Sequence, residues 1–179
     1  ALEILRKRDS DGKLPVALLP TAAAFVEESS VGKPDAGLKS LLQRFVAVSG
    51  NVQAELPSDL RAELRVYQRQ GINWLSFLRE AGVGALLADD MGLGKTLQTL
   101  CVLRGNSLVV CPTSVMYAWL EQTAKFRPAL RVCCYHGSER ALLPDAELTI
   151  TTYGVLRLEK DKLSQITWDT LVLDEAQTI

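Results

Sequence analysis

The chain has 179 residues, 47% of them hydrophobic and 23% charged, with a formal net charge of -1 at pH 7. That balance suits one folded globular core and excludes disordered and collagen-like classes. No apolar run approaches the roughly 18 residues of a membrane-spanning helix and the N-terminus has no signal-peptide pattern, so a cytoplasmic location, nuclear in a eukaryote, is expected. With so little net charge, any nucleic acid has to be met by a local basic patch. The four cysteines, Cys101, Cys111, Cys133 and Cys134, form no C-x-x-C pair and sit in apolar contexts. They read as reduced packing residues, not as a zinc site or a disulfide framework.

Residues 1–57 read as an accessory segment. Gly12, Pro15, Pro20, Gly32, Pro34 and Gly37 interrupt it, and no motif with a chemical reading lies in it. Leu38, Leu41, Leu42, Phe45 and Val46 recur at helical spacing and predict one amphipathic helix closed by Gly50. Residues 22–28 suit either helix or strand. From Pro57 onward, Leu60, Leu64, Tyr67, Gly71, Trp74 or Leu75, and Leu78 predict a helix running up to Gly82. Arg61, Arg65 and Arg69 would form a solvated row on its opposite side.

A strand over residues 83–88 then feeds the turn Asp89-Asp90-Met91-Gly92-Leu93-Gly94-Lys95-Thr96. The glycines allow a bend whose N–H groups point inward, and a helix starting at Lys95 adds its positive dipole end. The stretch therefore reads as a phosphate-binding loop. Lys95 can reach the β- and γ-phosphates as a point charge, and the Thr96 hydroxyl can ligate Mg²⁺. Asp89 stands where the usual pattern has glycine, and a bare Gly-x-Gly-Lys-Thr turn leaves an ordinary strand-to-helix loop open.

The loop helix should run to about Leu103 and end at Gly105. The Leu-Val-Val-Cys run predicts a buried strand over 107–111, and Pro112 opens a helix with Val115, Met116, Trp119, Leu120 and Phe126 on its apolar face. Strands over 130–135 and 148–152, a helix over about 155–163 and a last strand over 170–173 follow. This alternation predicts parallel crossovers and a doubly wound α/β sheet. The last strand runs into Asp174 and Glu175. An acid at the tip of a buried strand helps hold Mg²⁺ beside a phosphate loop, and the neighbouring Glu175 is placed to take a proton from an attacking water. An exposed acidic turn is the plain alternative.

Four stretches carry a family resemblance: Leu64-Arg65-Val66-Tyr67-Gln68-Arg69-Gln70-Gly71-Ile72-Asn73-Trp74-Leu75, the loop from Asp89 to Gln98, Val110-Cys111-Pro112-Thr113-Ser114, and Leu173-Asp174-Glu175-Ala176-Gln177. They resemble successive helicase motifs of Swi/Snf-type ATPases of superfamily 2, over residues 58–179. The family writes an acid at position 89. Gln177, where relatives often have histidine, resembles a variant of bacterial and archaeal members.

The resemblance implies that residues 58–179 are part of the first RecA-like lobe of a P-loop NTPase. That lobe is a parallel sheet with helices on both faces, preceded here by a small, mainly helical extension. ATP and Mg²⁺ are the implied cofactors. Gln68 matches the glutamine at the adenine edge, where a carboxamide both donates and accepts. Asp90, Met91, Gly92, Leu93, Gly94, Lys95 and Thr96 match the phosphate loop, Thr96 and Asp174 the Mg²⁺ ligands, and Lys95 and Glu175 the catalytic pair. Pro112, Thr113 and Ser114, and then Thr151, Thr152 and Tyr153, match two motifs that touch a DNA backbone. The implied activity is ATP-driven translocation on double-stranded DNA that remodels DNA-bound complexes. The alternatives are a nucleotide-binding scaffold or protein-remodelling module that needs no DNA, or an inactive fragment. Later family motifs, including the arginines of a second lobe, are not among these residues, so a piece of a longer protein that hydrolyses ATP negligibly by itself is expected. Its final strand, without the family's neighbouring strand, is expected to be disordered or paired with another chain.

Overall fold

The computed structural model describes residues 53–178. Residues 1–52, which hold most of the accessory segment, the helix expected over 38–46 and the segment 22–28, lie outside the described residues. The described residues fall into two compact units: Glu55–Ile72 with the described part of Leu87–Ile179, and Asn73–Leu86 with Gln53 and Ala54.

Helix α1, Val66–Glu80, begins later than the apolar spacing predicts. Gln68, three residues past Arg65, accepts the Arg65 backbone N–H at 3.0 Å. This is the return half of a capping box, and it sets the helix start. Upstream, the Arg61 N–H donates to the Phe126 carbonyl at 2.9 Å and Asp59 pairs with Arg127 at 2.6 Å, which holds this stretch out of a helix. Leu60 and Leu64 are therefore not helical, and the row expected of Arg61, Arg65 and Arg69 does not form. In the smaller unit α1 ends in a Schellman motif: Val83 N–H donates to the Leu78 carbonyl and Gly82 N–H to the Arg79 carbonyl, with Gly82 at φ 70. Val83 packs with Leu78, Ala81 and Phe77, the apolar contact that accompanies this cap.

Residues 83–88 form no strand, against expectation. A strand is stabilised through its ladder, and no strand among the described residues pairs with this segment. Its Leu86 is left 79% exposed.

The larger unit is an α/β structure on one parallel sheet. After α2, Lys95–Val102, come β1, Ser107–Cys111, and α3, Thr113–Phe126. Next are β2, Val132–Cys134, β3, Leu148–Thr152, α4, Tyr153–Leu158, α5, Lys160–Ser164, and β4, Thr170–Leu173. A short 3₁₀ turn, Ala176–Thr178, follows. The one helix expected over 155–163 is two, interrupted at Glu159 (φ -110), whose carboxylate is drawn aside to Arg140 and Tyr135.

The strand order is β2-β3-β1-β4, every pair parallel. Parallel sheets are covered on both faces, which is why all five residues of β1 and of β3 are buried. Val109 and Cys111 join Leu148 and Ile150, Leu100 and Leu103 of the α2 end, and Met116 and Trp119 of α3 in the main core. Cys133, Tyr135, Val155 and Leu163 make a second cluster. Strand β4 is formed, which overturns the expectation of a disordered last strand: Thr170–Leu173 lies in full register with Ser107–Val110. All four cysteines are free, and burial pushes the Cys101 and Cys111 thiols up to about 11.

Within the larger unit, Arg127 joins the segment before α1 to the end of α2. It pairs with Asp59 while donating to the Leu100 carbonyl at 2.7 Å, with both pair members largely shielded from solvent. Arg127→Ala would leave a shielded carboxylate and a helix-end carbonyl without that partner. Chemical unfolding of the chain is expected to register a loss of about 3 kcal/mol, the lower end for breaking a buried pair. A change below about 0.5 kcal/mol would mean the pair is no more than a surface contact.

Candidate functional site

Parallel strands place their C-terminal ends on one edge, and three sequence-predicted stretches lie at those ends. Cys111 of β1 leads to Pro112, Thr113 and Ser114. Thr151 and Thr152 close β3, and β4 runs into Asp174 and Glu175.

The glycine loop is built from backbone that only glycine adopts cheaply. Gly92 has φ 85 and Gly94 φ 77, and Gly94 is the N-cap of α2 without a side-chain cap. The N–H groups of the first turn of α2 are therefore presented to the loop, where the helix dipole is positive. At the other end of α2, Arg104 donates to the Cys101 carbonyl at 3.1 Å and the Leu103 carbonyl at 2.8 Å, and Arg127 donates to that of Leu100. Cations on the carbonyl end complement the same dipole. The Lys95 ammonium folds onto the loop, donating to the carbonyls of Asp89 at 2.7 Å and Asp90 at 3.1 Å. Met91 is 92% exposed and so has no packing role. Thr96 follows Lys95 in the first turn of α2.

Gln68 is brought to this loop. Its Nε2 donates to the Leu93 carbonyl at 3.3 Å while its Oε1 holds the start of α1. Buried Gln98 donates to the same carbonyl at 3.4 Å. Two glycines make room for these amides. A Cβ on Gly94 would stand 2.5 Å from Gln68 Nε2, and one on Gly71 2.0 Å from Gln98 Oε1. Gln98 closes the loop stretch that carries the family resemblance, but the sequence assigns it no role of its own; its place in that stretch is its only signal.

Asp174 is held on every side. Its N–H donates to the Val110 carbonyl at 2.9 Å, extending the β1–β4 ladder by one residue. Its Oδ1 accepts the Glu175 N–H at 3.0 Å and its Oδ2 the indole N–H of Trp119 at 2.7 Å. The Tyr153 hydroxyl donates to its carbonyl at 2.8 Å. Burial, and then the charge of Asp174, raise the pKa of Tyr153 and keep it a neutral donor. Glu175 sits at φ 52, left-handed without being glycine, and its carboxylate accepts from Gln177.

Thr113 and Ser114 are exposed at the start of α3. Thr151 and Thr152 are 0% and 3% exposed, and their hydroxyls are used internally. Thr151 donates to the Tyr135 carbonyl at 2.8 Å, and Thr152 caps α4 by accepting the Val155 N–H. This corrects the expectation that both hydroxyls face a DNA backbone. They fix a strand end, whereas Thr113 and Ser114 are exposed at the same edge.

Residues 67–179 match the SNF2-related domain family. The chain is 39% identical over 142 residues to Helicase SWR1 of Candida albicans and 31% identical over 214 residues to the TATA-binding protein-associated factor mot1 of Aspergillus fumigatus, covering 69% and 97% of this chain respectively. It spans only 9% and 11% of those relatives' lengths. Among solved structures, the Sulfolobus solfataricus SWI2/SNF2 ATPase core in complex with dsDNA superposes with a TM-score of 0.66 at 42% identity, covering 71% of this chain and 29% of that one.

The two loop glycines give separable expectations. Gly92→Ala meets open space and suffers only the left-handed backbone, about 1–2 kcal/mol, whereas Gly94→Ala also collides with Gln68. Chemical unfolding should therefore rank Gly94→Ala as the more destabilising. Equal losses would mean that Gln68 does not bear on the loop.

Proposed function

The chain belongs to the SNF2-related domain family, and from that premise we propose that it is the ATP-binding part of an ATP-dependent double-stranded DNA translocase that remodels DNA-bound complexes. The observation that carries this reading is the glycine loop: left-handed Gly94 opens α2 with its N–H groups presented, while Gln68 is locked onto the loop's own Leu93 carbonyl. Residues 58–179 form part of the first RecA-like lobe, and a second lobe outside these residues completes the catalytic centre. DNA as the track places the protein in the cytoplasm, or in the nucleus of a eukaryote.

In this reading the first-turn N–H groups of α2 hold phosphate oxygens, and Lys95 exchanges the carbonyls of Asp89 and Asp90 for the β- and γ-phosphates. Beyond its bonds to the Arg65 N–H and the Leu93 carbonyl, the Gln68 amide keeps one N–H and one oxygen lone pair, and these are what it offers to adenine. The donor set suits Mg²⁺. Among the described residues no group of three His, Cys, Asp or Glu side chains could hold a metal, but Mg²⁺ takes one or two protein oxygens and keeps its waters, which the Thr96 hydroxyl and the fixed Asp174 carboxylate would supply. Mg²⁺ would neutralise charge on the transferring phosphoryl group. Glu175 takes the proton of the attacking water. Thr113 and Ser114, exposed at a helix start, contact DNA phosphates, which position a duplex without reading its sequence.

Tests belong in the full-length parent protein. Lys95→Ala is expected to weaken ATP binding and abolish hydrolysis; steady-state hydrolysis at the wild-type rate would remove the reading. Glu175→Gln keeps the shape and loses the base, so nucleotide binding should persist while turnover falls about 10²- to 10⁴-fold. Equal loss of binding and turnover would make Glu175 structural. Duplex DNA should stimulate hydrolysis with an affinity that falls as salt rises and varies little among random sequences of equal length. ATP hydrolysis indifferent to DNA would favour a DNA-independent remodelling module instead.

A further inference from the structure

The carboxylate of Asp174 is not held by its own strand alone. Trp119 lies in the main core, 3% exposed, in the same cluster as Val109, Cys111 and Met116. A buried indole N–H needs a partner, and the partner here, 55 positions along the chain, is Asp174 Oδ2 at 2.7 Å. Tyr153 grips the same residue from another side, its hydroxyl on the Asp174 carbonyl. The elements that carry these two donors matter. Trp119 belongs to α3, which starts at the exposed Thr113 and Ser114, and Tyr153 is the first residue of α4, directly after its cap Thr152. A helix is stiff along its axis, so a displacement at the start of α3 moves the indole that fixes Oδ2. Oδ1 stays with the neighbouring Glu175 N–H, and each carboxylate oxygen keeps acceptor capacity for a further ligand.

We propose that Trp119 and Tyr153 are positioning residues for Asp174, and that Trp119 relays the seating of DNA at Thr113–Ser114 to this carboxylate, so that bound duplex raises the apparent Mg²⁺ affinity of the nucleotide site. The inference rests on the function proposed above. Groups that orient a metal ligand from outside typically change metal affinity or activity 10- to 100-fold when removed. Both donors act through hydrogen bonds that a phenylalanine deletes while leaving a ring in place.

The experiment uses the full-length parent protein. Mn²⁺ binding in the presence of a non-hydrolysable ATP analogue is titrated by electron paramagnetic resonance, and the Mg²⁺ concentration for half-maximal ATP hydrolysis is measured with and without duplex DNA. Trp119→Phe is expected to weaken Mn²⁺ binding and raise half-saturating Mg²⁺ about 10-fold, leave ATP binding in EDTA unchanged, and remove the shift in half-saturating Mg²⁺ that DNA produces in wild type. Tyr153→Phe should change metal binding in the same direction. Because the Tyr153 ring is only half-buried, this variant carries the test of positioning if Trp119→Phe does not fold. Leu148→Val, in the same core cluster but at the far end of β3, controls for loosened packing and should leave metal binding at the wild-type value. Wild-type metal dependence in a folded Trp119→Phe or Tyr153→Phe, or an equal shift in Leu148→Val, overturns the positioning role. A DNA effect on half-saturating Mg²⁺ that survives in Trp119→Phe overturns the relay. A wild-type protein with no Mg²⁺-dependent hydrolysis would overturn the function reading itself and this inference with it, a result distinct from a normal wild type beside an unaffected variant.

Discussion

Parallel pairing dictates most of what this structure can do. With β2, β3, β1 and β4 running the same way, every strand delivers its last residue to one edge, and every return to the sheet crosses a face through the segments between strands. β1 lies between β3 and β4, buried on both faces. Its ladder with β4 extends one bond further, from Asp174 N–H to the Val110 carbonyl, so the acid's backbone is placed by the sheet and not by a loop. Pro112 and Thr152 leave the neighbouring strand ends as helix N-caps. The three stretches converge because three strands stop together. None has a sequence neighbour among the others.

The loop at the start of α2 depends on a different constraint, the absence of side chains. Gly94 has to be left-handed and also leave passage for the Gln68 amide. Gln68 in turn spends its oxygen on the start of α1 and its nitrogen on the Leu93 carbonyl. One side chain thus sets a helix boundary and braces a phosphate-type loop. Substituting it would change local structure as well as any contact with a base, so its two roles separate only when loop geometry and ligand affinity are read independently.

These double duties mark the limit of what the sequence makes legible. A covered and largely apolar strand such as Ser107–Cys111, and the acid-tipped Thr170–Leu173, are plain, because burial and strand length write themselves into composition. The apolar spacing from Leu60 to Leu78 misleads, because periodicity is blind to a cap: Gln68 on Arg65 and Arg127 on Asp59 stop the helix at Val66. Residues 83–88 look like a strand and form none, since a strand also needs a partner that its own sequence does not name. Thr151 and Thr152 are legible as strand-end hydroxyls, but not as hydroxyls consumed by the Tyr135 carbonyl and the Val155 N–H. Trp119 reads as one more apolar residue on α3. Its distinguishing feature, an N–H that requires a partner, is visible in the residue type, but the partner is fixed only by the fold.

The turn after β4 shows how much of the interior is committed to aiming two acids. Glu175 takes a left-handed backbone at φ 52, a conformation that costs a non-glycine residue roughly 1–2 kcal/mol, and its surroundings over-determine it. The Glu175 N–H is held by Asp174 Oδ1, the Asp174 carbonyl by Tyr153, and the Glu175 carboxylate by Gln177. A right-handed or extended Glu175 would leave its N–H on Oδ1 but re-aim its carboxylate and turn the following chain, and with it Gln177, onto another path. The strain at Glu175 and the four-point hold on Asp174 act side by side: the backbone gives up conformational ease at one acid to aim it, hydrogen bonds fix the other, and both orientations are set before any ligand arrives.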